Sequence, residues 1–355
     1  MNTELQFTRY LYGKDEVEIS LMTNLLNRTN DAIFWADELF HSGFVKELTI
    51  LLWKIYYDFY AVINPNFETY LVTKLKNIDL IDDILVYTII KNFTIRRHNI
   101  DVFILRNIVN EFDVECDKNT DLICLLDSKD YLTISSFILS LKEEQVVEVY
   151  NKVVSYFSKL GLKIDSKKAI GQFQKQIIAN RILLLSRVIH YFSVLHKIKM
   201  GRNLYIHVEP KECVMTIHSN LTKPYKILSL ARICYIDSGN YLSLFNLKRD
   251  KTDMTTAYRE NWLYHASFSP LWKARINGEI LIDKKTVIFN DEEEEEKFRE
   301  KYDYEPDEQK KDVQDKSIQE IKCERTWMSF YKEHRNETIV DIDEDIIKDI
   351  DKLTY

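Results

Sequence analysis

The stretch AIFWADELFHSGFVKELTILLWKIYYDFY, residues 32–60, contains two stripes of apolar residues at helical spacing, separated by one glycine. Residues three and four positions apart share one face of an α-helix, so each stripe predicts a helix with one buried face. Gly43 stands between the stripes, where the residue after a helix often adopts a left-handed conformation. We therefore predict two consecutive helices joined at Gly43. The stripes are Ala32, Ala36, Leu39 and Phe40, then Val45, Leu48, Leu52, Ile55 and Phe59.

Similar stripes on both sides of this stretch predict four more helices, beginning near Val17, Phe67, Leu80 and Ile100. Between Pro65 and Pro210 there is no proline, the residue that most strongly interrupts helices. Helix pairs that recur about every 30 to 35 residues are typical of helical-repeat proteins. We predict a mainly α fold, either a HEAT-like array or a helical bundle of antiparallel helix pairs.

Beyond these helices the pattern changes along the chain, and it predicts five regions. Asn203–Glu209 and Cys213–Ser219 alternate in the manner of strands around Pro210, which predicts a β-hairpin in a smaller mixed α/β segment. A long basic helix is expected from about Ser166 to Met200 and, at the chain's end, we expect residues 336–355 to be largely mobile. The regions are a helical-repeat-like 1–111, an acidic connection 112–128, a helical 129–202, the mixed segment 203–290, and an acidic, partly helical and partly disordered tail 291–355.

Seven glycines in 355 residues leave little material for the glycine-rich loops that hold phosphates or position nucleophiles. His207, Cys213 and His218 are the only near neighbours with metal-ligating side chains, and their spacing matches no zinc pattern. The adjacent carboxylates Asp37 and Glu38 are interpreted as part of a solvated helix face. We therefore predict no catalytic residues, no cofactor and no metal.

The five cysteines are widely spaced and include no CxxC pair, which favours reduced thiols in a cytosolic protein. The sequence opens MNTELQFTRY, without a basic and then apolar signal. No apolar run approaches the roughly 18 residues of a membrane span. We expect a protein that neither crosses a membrane nor enters the secretory route.

Charge is distributed unevenly along the chain. Residues 1–157 contain 15 Lys and Arg against 24 Asp and Glu, residues 158–275 contain 20 against 7, and residues 276–355 contain 14 against 25. A basic segment thus lies between two acidic ones, and clustered cations attract phosphate backbones by releasing counterions. We predict a nucleic-acid-binding surface formed by Lys167, Lys168, Lys175, Arg181, Arg187, Lys197, Lys199, Arg202, Lys248, Arg249 and Lys251.

Two other interpretations of the basic segment stay open. It could be neutralised by the acidic parts of the same molecule, or it could bind an acidic protein partner. A separate protein interface is predicted at YRENWLY, residues 258–264, because Tyr258, Leu263 and Tyr264 fit the Tyr-x4-Leu-apolar pattern used by partners of cap-binding translation factors.

Four strings carry a resemblance to a family of uncharacterised proteins from large nucleocytoplasmic DNA viruses, the giant viruses. They are RYLYGKDEVEISLMTNLLNR (residues 9–28), AIFWADELFHSGF (32–44), LLWKIYYDFYAVINPNFETYL (51–71) and WLYHASFSPLWKARI (262–276). The resemblance spans most of residues 9–276 and implies a viral source, with a location in the host cytoplasm, the viral factory, or the virion. It implies no catalytic residue.

These observations rank three hypotheses. The first is a non-enzymatic viral scaffold or adaptor that binds protein partners and, in one version, RNA; its most concrete form is a translation-initiation scaffold, by analogy of architecture. The second is a nucleic-acid-binding protein that uses the basic surface of residues 158–251. The third is an enzyme with an unrecognised site, which would need a buried pocket lined by charges. We expect neither a membrane partner nor a small-molecule substrate.

Overall fold

The chain is mainly helical and has one small two-stranded sheet, which confirms the predicted fold class. None of the helices in the described ranges is long and apolar enough to cross a membrane. The computed structural model describes residues 4–112, 121–165, 180–213, 227–228, 253–304, 309–318, 326–335 and 337–353.

Nine α-helices lie in the described residues up to 165, and Tyr56–Tyr60 continues α3 as a π-helical turn. Short 3₁₀ turns occupy Ile78–Leu80 and Glu143–Gln145. The helices are α1 (Lys14–Leu26), α2 (Asp31–His41), α3 (Val45–Ile55), α4 (Phe67–Lys74), α5 (Asp83–Thr94), α6 (Asp101–Phe112), α7 (Leu122–Ser128), α8 (Tyr131–Ser140) and α9 (Val146–Lys159).

The described residues from 180 onward form shorter helices and an antiparallel hairpin. Strands β1 (Gly278–Leu281) and β2 (Thr286–Phe289) pair with Gly278 opposite Phe289 and Leu281 opposite Thr286. The helices are α10 (Asn180–Leu195), α11 (Pro210–Cys213), α12 (Met254–Arg259), α13 (Trp262–Ala266), α14 (Pro270–Arg275), α15 (Glu292–Tyr302), α16 (Lys311–Ile318), α17 (Trp327–His334) and α18 (Glu344–Leu353).

Two compact units share the chain, and each takes three separate stretches of it. Unit 1 comprises Met1–Leu48, Asn77–Ile95 and Tyr205–Thr326. Unit 2 comprises Thr49–Lys76, Arg96–Leu204 and Trp327–Tyr355.

In unit 1, α2 packs against both α1 and α5. The segment before α1 is buried by residues far along the chain: Trp272 Nε1 donates to the carbonyl of Thr8 at 3.0 Å, and Tyr258 donates to that of Leu11 at 2.6 Å. Buried Trp and Tyr side chains need such hydrogen-bond partners. Residues 4–13 are therefore part of the core of unit 1.

Gly43 ends α2 as predicted, with φ of +86°. The amide of Phe44 donates to the carbonyl of Leu39, as in a Schellman motif. A Cβ atom at position 43 would lie 2.7 Å from Cβ of Pro270, so both the backbone conformation and the space favour glycine.

In unit 2, α10 packs against α6, α8 and α9. Phe103 of α6 contacts the aromatic rings of Phe59, Trp327 and Phe330, with centroids 4.7, 5.8 and 5.9 Å away. The buried carboxyl group of Asp101 accepts hydrogen bonds from the amides of Ile339 and Val340. The end of the chain is thus attached to the core of unit 2.

Four local expectations were wrong. Asn203–Glu209 forms no strand, and the hairpin lies instead at residues 278–289; Cys213 is helical, and 214–219 lie outside the described residues. Ile206 imitates a paired strand residue, because the Asn92 side chain donates to its carbonyl and accepts from its amide. The backbone hydrogen bonds that a neighbouring strand would make at Ile206 are made by a side-chain amide instead.

The other three concern boundaries. The acidic connection 112–128 contains α7, whose Leu122, Leu125 and Leu126 are buried. Within its described part, the long basic helix ends at Leu195 rather than Met200, since Lys197 is left-handed. Residues 337–353 are ordered in unit 2, where Ile347 and Ile350 of α18 are buried at helical spacing.

Candidate functional site

A cleft of about 260 Å³ opens in unit 2. One wall is the turn before α4, with Pro65 and Asn66, and a second wall is the segment 162–165 after α9. The third wall is α10, which contributes Arg187, His190 and two further residues. The cleft therefore combines residues from three separated parts of the chain.

Arg187 and Glu68 form an ion pair in this cleft, with side chains 11% and 2% exposed. Burial is the largest single influence on the pKa of Arg187 and would lower it, but the charge of Glu68 together with Tyr56, Tyr57 and Tyr191 raises it overall. Arg187 therefore keeps its charge, which the paired carboxylate of Glu68 neutralises. Nε of Arg187 is buried and has no hydrogen-bond partner in the described part of the chain.

Tyr57, from the π-helical turn, completes the pairing of Glu68 by donating its hydroxyl to Oε1 at 2.8 Å. Burial, and then the charge of Glu68, raise the pKa of Tyr57 well above its usual value. The phenol therefore keeps its proton and remains a donor. Glu68 accepts from Arg187 and Tyr57 at once, so its carboxylate is held rigidly.

His190 is neutral in this environment. Burial lowers its pKa to about 4; the hydrogen bond to Val62 opposes this, and the charge of Arg187 adds to it. Nδ1 lies 2.6 Å from the carbonyl of Val62, which can only accept, so Nδ1 carries the hydrogen. Nε2 is therefore a hydrogen-bond acceptor at neutral pH.

Exposed cations border the cleft on two sides. Lys163 lies in the wall after α9, while Lys197, Lys199 and Arg202 follow α10 closely. None of these four forms an ion pair with another described residue. We call them the rim cations. Their charge is available to a ligand, whereas that of Arg187 is not.

The segment that carries three rim cations is attached to the wall of the cleft. Arg97 donates to the carbonyl of Lys199 at 2.8 Å, and Gly201 donates to the carbonyl of Ile63 at 2.6 Å. Asn66 in turn donates to the side chain of Asn203 at 3.3 Å. Residues 199–203 therefore run beside the turn formed by residues 63–66.

Gly201 is required for this close approach. A Cβ atom there would lie 2.0 Å from Oδ1 of Asn64, whose amide nitrogen is held by the carbonyls of Tyr60 and Arg97. In the sequence, Gly201 directly follows the predicted end of the basic helix at Met200, where a glycine commonly ends a helix. Its role in the structure is to bring the basic segment against the cleft.

The residues predicted to bind nucleic acid fall into three groups in the structure. Lys197, Lys199 and Arg202 are exposed and near one another in the chain. Arg181 donates to the carbonyl of Leu139 and lies 3.6 Å from Glu143, and Arg187 is paired with Glu68, so both cations already have partners. The remaining six lie outside the described residues: Lys167, Lys168, Lys175, Lys248, Arg249 and Lys251.

The residues predicted as a protein interface are buried. Tyr258, Leu263 and Tyr264 are 0%, 9% and 2% exposed. Tyr258 stacks on Phe7 with ring centroids 4.7 Å apart. Their apolar spacing reflects packing within unit 1, so a partner could reach them only after this packing opened.

The sequence did not point to the residues that form the cleft. Glu68 and Arg187 are 119 positions apart, and no local pattern links them. Asp37 and Glu38 were also misread, because they do not form a solvated face: both contact the buried guanidinium of Arg9. A glutamate on an apolar helix face, as Glu68 is in α4, is the one signal that could have been noticed.

Comparison of the chain with known protein families, with curated proteins and with solved structures gives no match. The function is therefore argued from the contacts, charges and burial of the residues in this chain.

Proposed function

We propose that this chain is a helical binding protein that carries out no chemistry, and that unit 2 binds single-stranded nucleic acid. One unstacked base enters the cleft, and neighbouring phosphates bind the rim cations. The observation that carries this proposal is the separation of charges: the ion pair inside the cleft cancels, while the rim cations have no described ionic partner.

The interior of the cleft suits a base better than a phosphate. With Glu68 neutralising Arg187, a phosphate placed inside would gain little attraction. His190 presents Nε2 as an acceptor, which matches the amino N–H groups on base edges, and Tyr191 adds an aromatic wall. Single-stranded bases are held by such hydrogen bonds and by aromatic contacts.

The size of the cleft points the same way. Sites for drug-sized ligands enclose about 300–1,000 Å³, and this cleft, at about 260 Å³, is smaller. One flat group projecting from a longer polymer fits it. The polymer itself then lies along the exposed segment that contains Lys197, Lys199 and Arg202.

An enzymatic role is less well supported by the same geometry. The cleft is lined by charges, as an enzyme with an unrecognised site would require, but of its two carboxylates Glu68 is already engaged by Arg187 and Tyr57, and Asp165 is exposed to solvent. A histidine with a pKa of about 4 is a weak general base, since the most effective bases have a pKa near the working pH.

The scaffold hypothesis stays a prediction, as do its viral setting and its protein partners. The residues chosen for the protein interface are buried in unit 1, so they give it no support. A protein partner that presented an acidic segment to the rim cations would be the alternative ligand of the same surface.

Binding to a labelled single-stranded RNA, followed by fluorescence anisotropy, tests the proposal. We expect K197Q/K199Q/R202Q to weaken binding at least tenfold at a fixed, moderate salt concentration. K76Q/K129Q/K142Q is the matched control: it removes three exposed cations elsewhere in unit 2, and Lys129 shares the φ of +57° found at Lys197. Equal losses in both variants would contradict a specific basic surface.

A second variant separates the cleft from its rim. Val194 lies in the wall of the cleft, and a tryptophan there would fill the space while leaving every cation in place. We expect V194W to weaken RNA binding without changing its dependence on salt. Unchanged affinity in V194W would show that no base enters the cleft.

A further inference from the structure

Three side chains with metal-ligating atoms converge in unit 1, outside the site described above. Asp37 and His41 lie one turn apart on α2, and Asp83 is the first residue of α5. Nε2 of His41 lies 3.1 Å from Oδ1 of Asp37 and 3.2 Å from Oδ1 of Asp83. One ligand atom from each residue lies within 4.8 Å of the other two.

These short distances are not hydrogen bonds. Nε2 of His41 is buried and has no hydrogen-bond partner among the described residues, although two carboxylate oxygens lie within 3.2 Å of it. A protonated imidazole between two carboxylates would point its N–H at one oxygen. Here neither oxygen makes that hydrogen bond, and two oxygens this close to an unbonded nitrogen are what shared ligands of one ion show.

The spacing fits a metal ion in that position. Zinc binds imidazole nitrogen and carboxylate oxygen at about 2.0–2.2 Å in tetrahedral geometry, so neighbouring ligand atoms are about 3.3 Å apart. The two contacts of Nε2 are close to this value. Three protein ligands leave one position for water, the arrangement of an open zinc site.

The surroundings hold the ligands in place. Arg9 Nη2 lies 3.1 Å from the other oxygen of Asp37 and 3.1 Å from Glu38, and Glu38 also accepts from the amide of Tyr10 at 2.7 Å. Outer partners of this kind orient a carboxylate toward a metal. Asp37 thus uses Oδ2 for Arg9 and keeps Oδ1 for the metal.

We propose that Asp37, His41 and Asp83 bind one divalent transition metal, with Zn²⁺ as the ion that best fits one imidazole and two carboxylates. The ion links α2 to α5 within unit 1. This site shares no residue with the proposed nucleic-acid surface, so a test of one proposal does not decide the other.

The test uses the full-length protein, from which bound metal is first removed with a chelator. The protein is then titrated with zinc in competition with a chromophoric chelator, which reports the affinity. We expect one tight site in the wild type, weakened by about 100-fold or more in H41Q and in D83N. The controls are H207Q and D79N, since the His207 side chain is 79% exposed and Asp79 is exposed in the turn before α5. Both controls should bind zinc as the wild type does.

The side chain of Asp83 is 37% exposed, so D83N should fold even if H41Q does not. Far-UV circular dichroism measures whether each variant is folded. Zinc should also raise the melting temperature of the wild type and not that of D83N. A wild type that binds no zinc would overturn the site. So would a folded D83N that binds zinc with unchanged affinity.

Discussion

Glu68 and Arg187 lie 119 residues apart in the chain and neutralise each other beneath the cleft. Tyr57 donates to the same carboxylate, and His190 stays neutral beside the guanidinium. These four side chains therefore carry no net charge together, and the other charged lining residues, Lys163 and Asp165, are exposed. Among the residues that the structure describes around the cleft, the rim cations are therefore the ones that can attract a polyanion, and selectivity comes from the shape and hydrogen bonds of the interior.

Loss of Glu68 should be costly because it leaves Arg187 charged and unpaired. Breaking a buried ion pair by removing one partner destabilises proteins by about 3–5 kcal/mol. We expect E68A to lower the free energy of unfolding by about that amount in urea denaturation. E148A is the control, because the exposed pair of Glu148 with Lys152 should contribute nothing measurable. Similar behaviour of the two variants would contradict the buried pairing.

His190 and Asp101 should give unit 2 two opposite dependences on pH. Burial lowers the pKa of His190 to about 4, so between pH 4 and 6.5 the unfolded chain binds a proton that the folded chain does not. The stability from this group is present above pH 6.5 and is lost as the pH falls toward 4. Burial raises the pKa of Asp101 to about 6, although its hydrogen bonds act to lower that pKa. The stability that Asp101 contributes is therefore lost as the pH rises from 3.8 to 6.

The two effects nearly cancel in the wild type, and single substitutions should separate them. Relative to the wild type, D101N should gain stability with rising pH between 4.5 and 5.5, by about 1.4 kcal/mol per pH unit. H190Q should lose stability with rising pH at the same rate. Urea denaturation at several pH values measures both slopes. Slopes of the same sign in the two variants would be inconsistent with this account.

At the scale of elements, Gly43 shows how a turn depends on a distant residue. Gly43 and Gly161 both have positive φ, +86° and +93°, but a Cβ atom meets Pro270 only at position 43. A left-handed conformation costs a residue other than glycine about 1–2 kcal/mol. We expect G161A to lose about that much stability and G43A to lose clearly more. Equal losses, measured by urea denaturation, would mean that the contact with Pro270 has no effect.

The sequence predicted the helices well where apolar residues repeat over three or more turns. The predicted stripes of α1, α2 and α3 are buried except for Phe40 and Val45, which are partly buried; Leu185, Ile189 and Phe192 are also buried in α10. For α5 the sequence pattern predicted a buried face of Leu80, Ile84, Leu85 and Ile89, and only Ile89 of these is buried. Ile84 and Leu85 are only partly buried, while Val86, Ile89, Ile90 and Phe93 form the buried face. An apolar helix offers more than one plausible face, and packing chooses between them.

The sequence pattern gave wrong predictions where the structure of a segment is determined by residues far away in the chain. The extended Asn203–Glu209 segment pairs with the amide of Asn92 rather than with a strand. The chain end looked too acidic to be ordered, yet Val340, Ile342, Ile347 and Ile350 are buried and Asp101 binds the backbone before α18. Four apolar residues among many carboxylates were enough to attach it.

At the scale of the whole molecule, the charge pattern located part of the candidate site and the tertiary structure supplied the rest. Lys197, Lys199 and Arg202 could be chosen from the sequence because cations are dense there. Contacts between distant segments were needed for the rest: they show that Arg187 is neutralised and that a cleft lies beside these cations. Internal neutralisation of the basic segment also occurs in part, since Arg187 pairs with Glu68 and Arg181 lies 3.6 Å from Glu143, two carboxylates of the acidic residues 1–157.

The central claim is that the rim cations bind phosphates of a single strand, and the salt dependence of RNA binding tests it most directly. For single strands, log K falls with log salt concentration with a slope of about −0.7 per phosphate neutralised. Replacing three rim cations in K197Q/K199Q/R202Q should therefore make the slope shallower by about 2, while K76Q/K129Q/K142Q keeps the slope of the wild type. A wild-type affinity that does not change with salt, or a slope that K197Q/K199Q/R202Q leaves unaltered, would contradict the account.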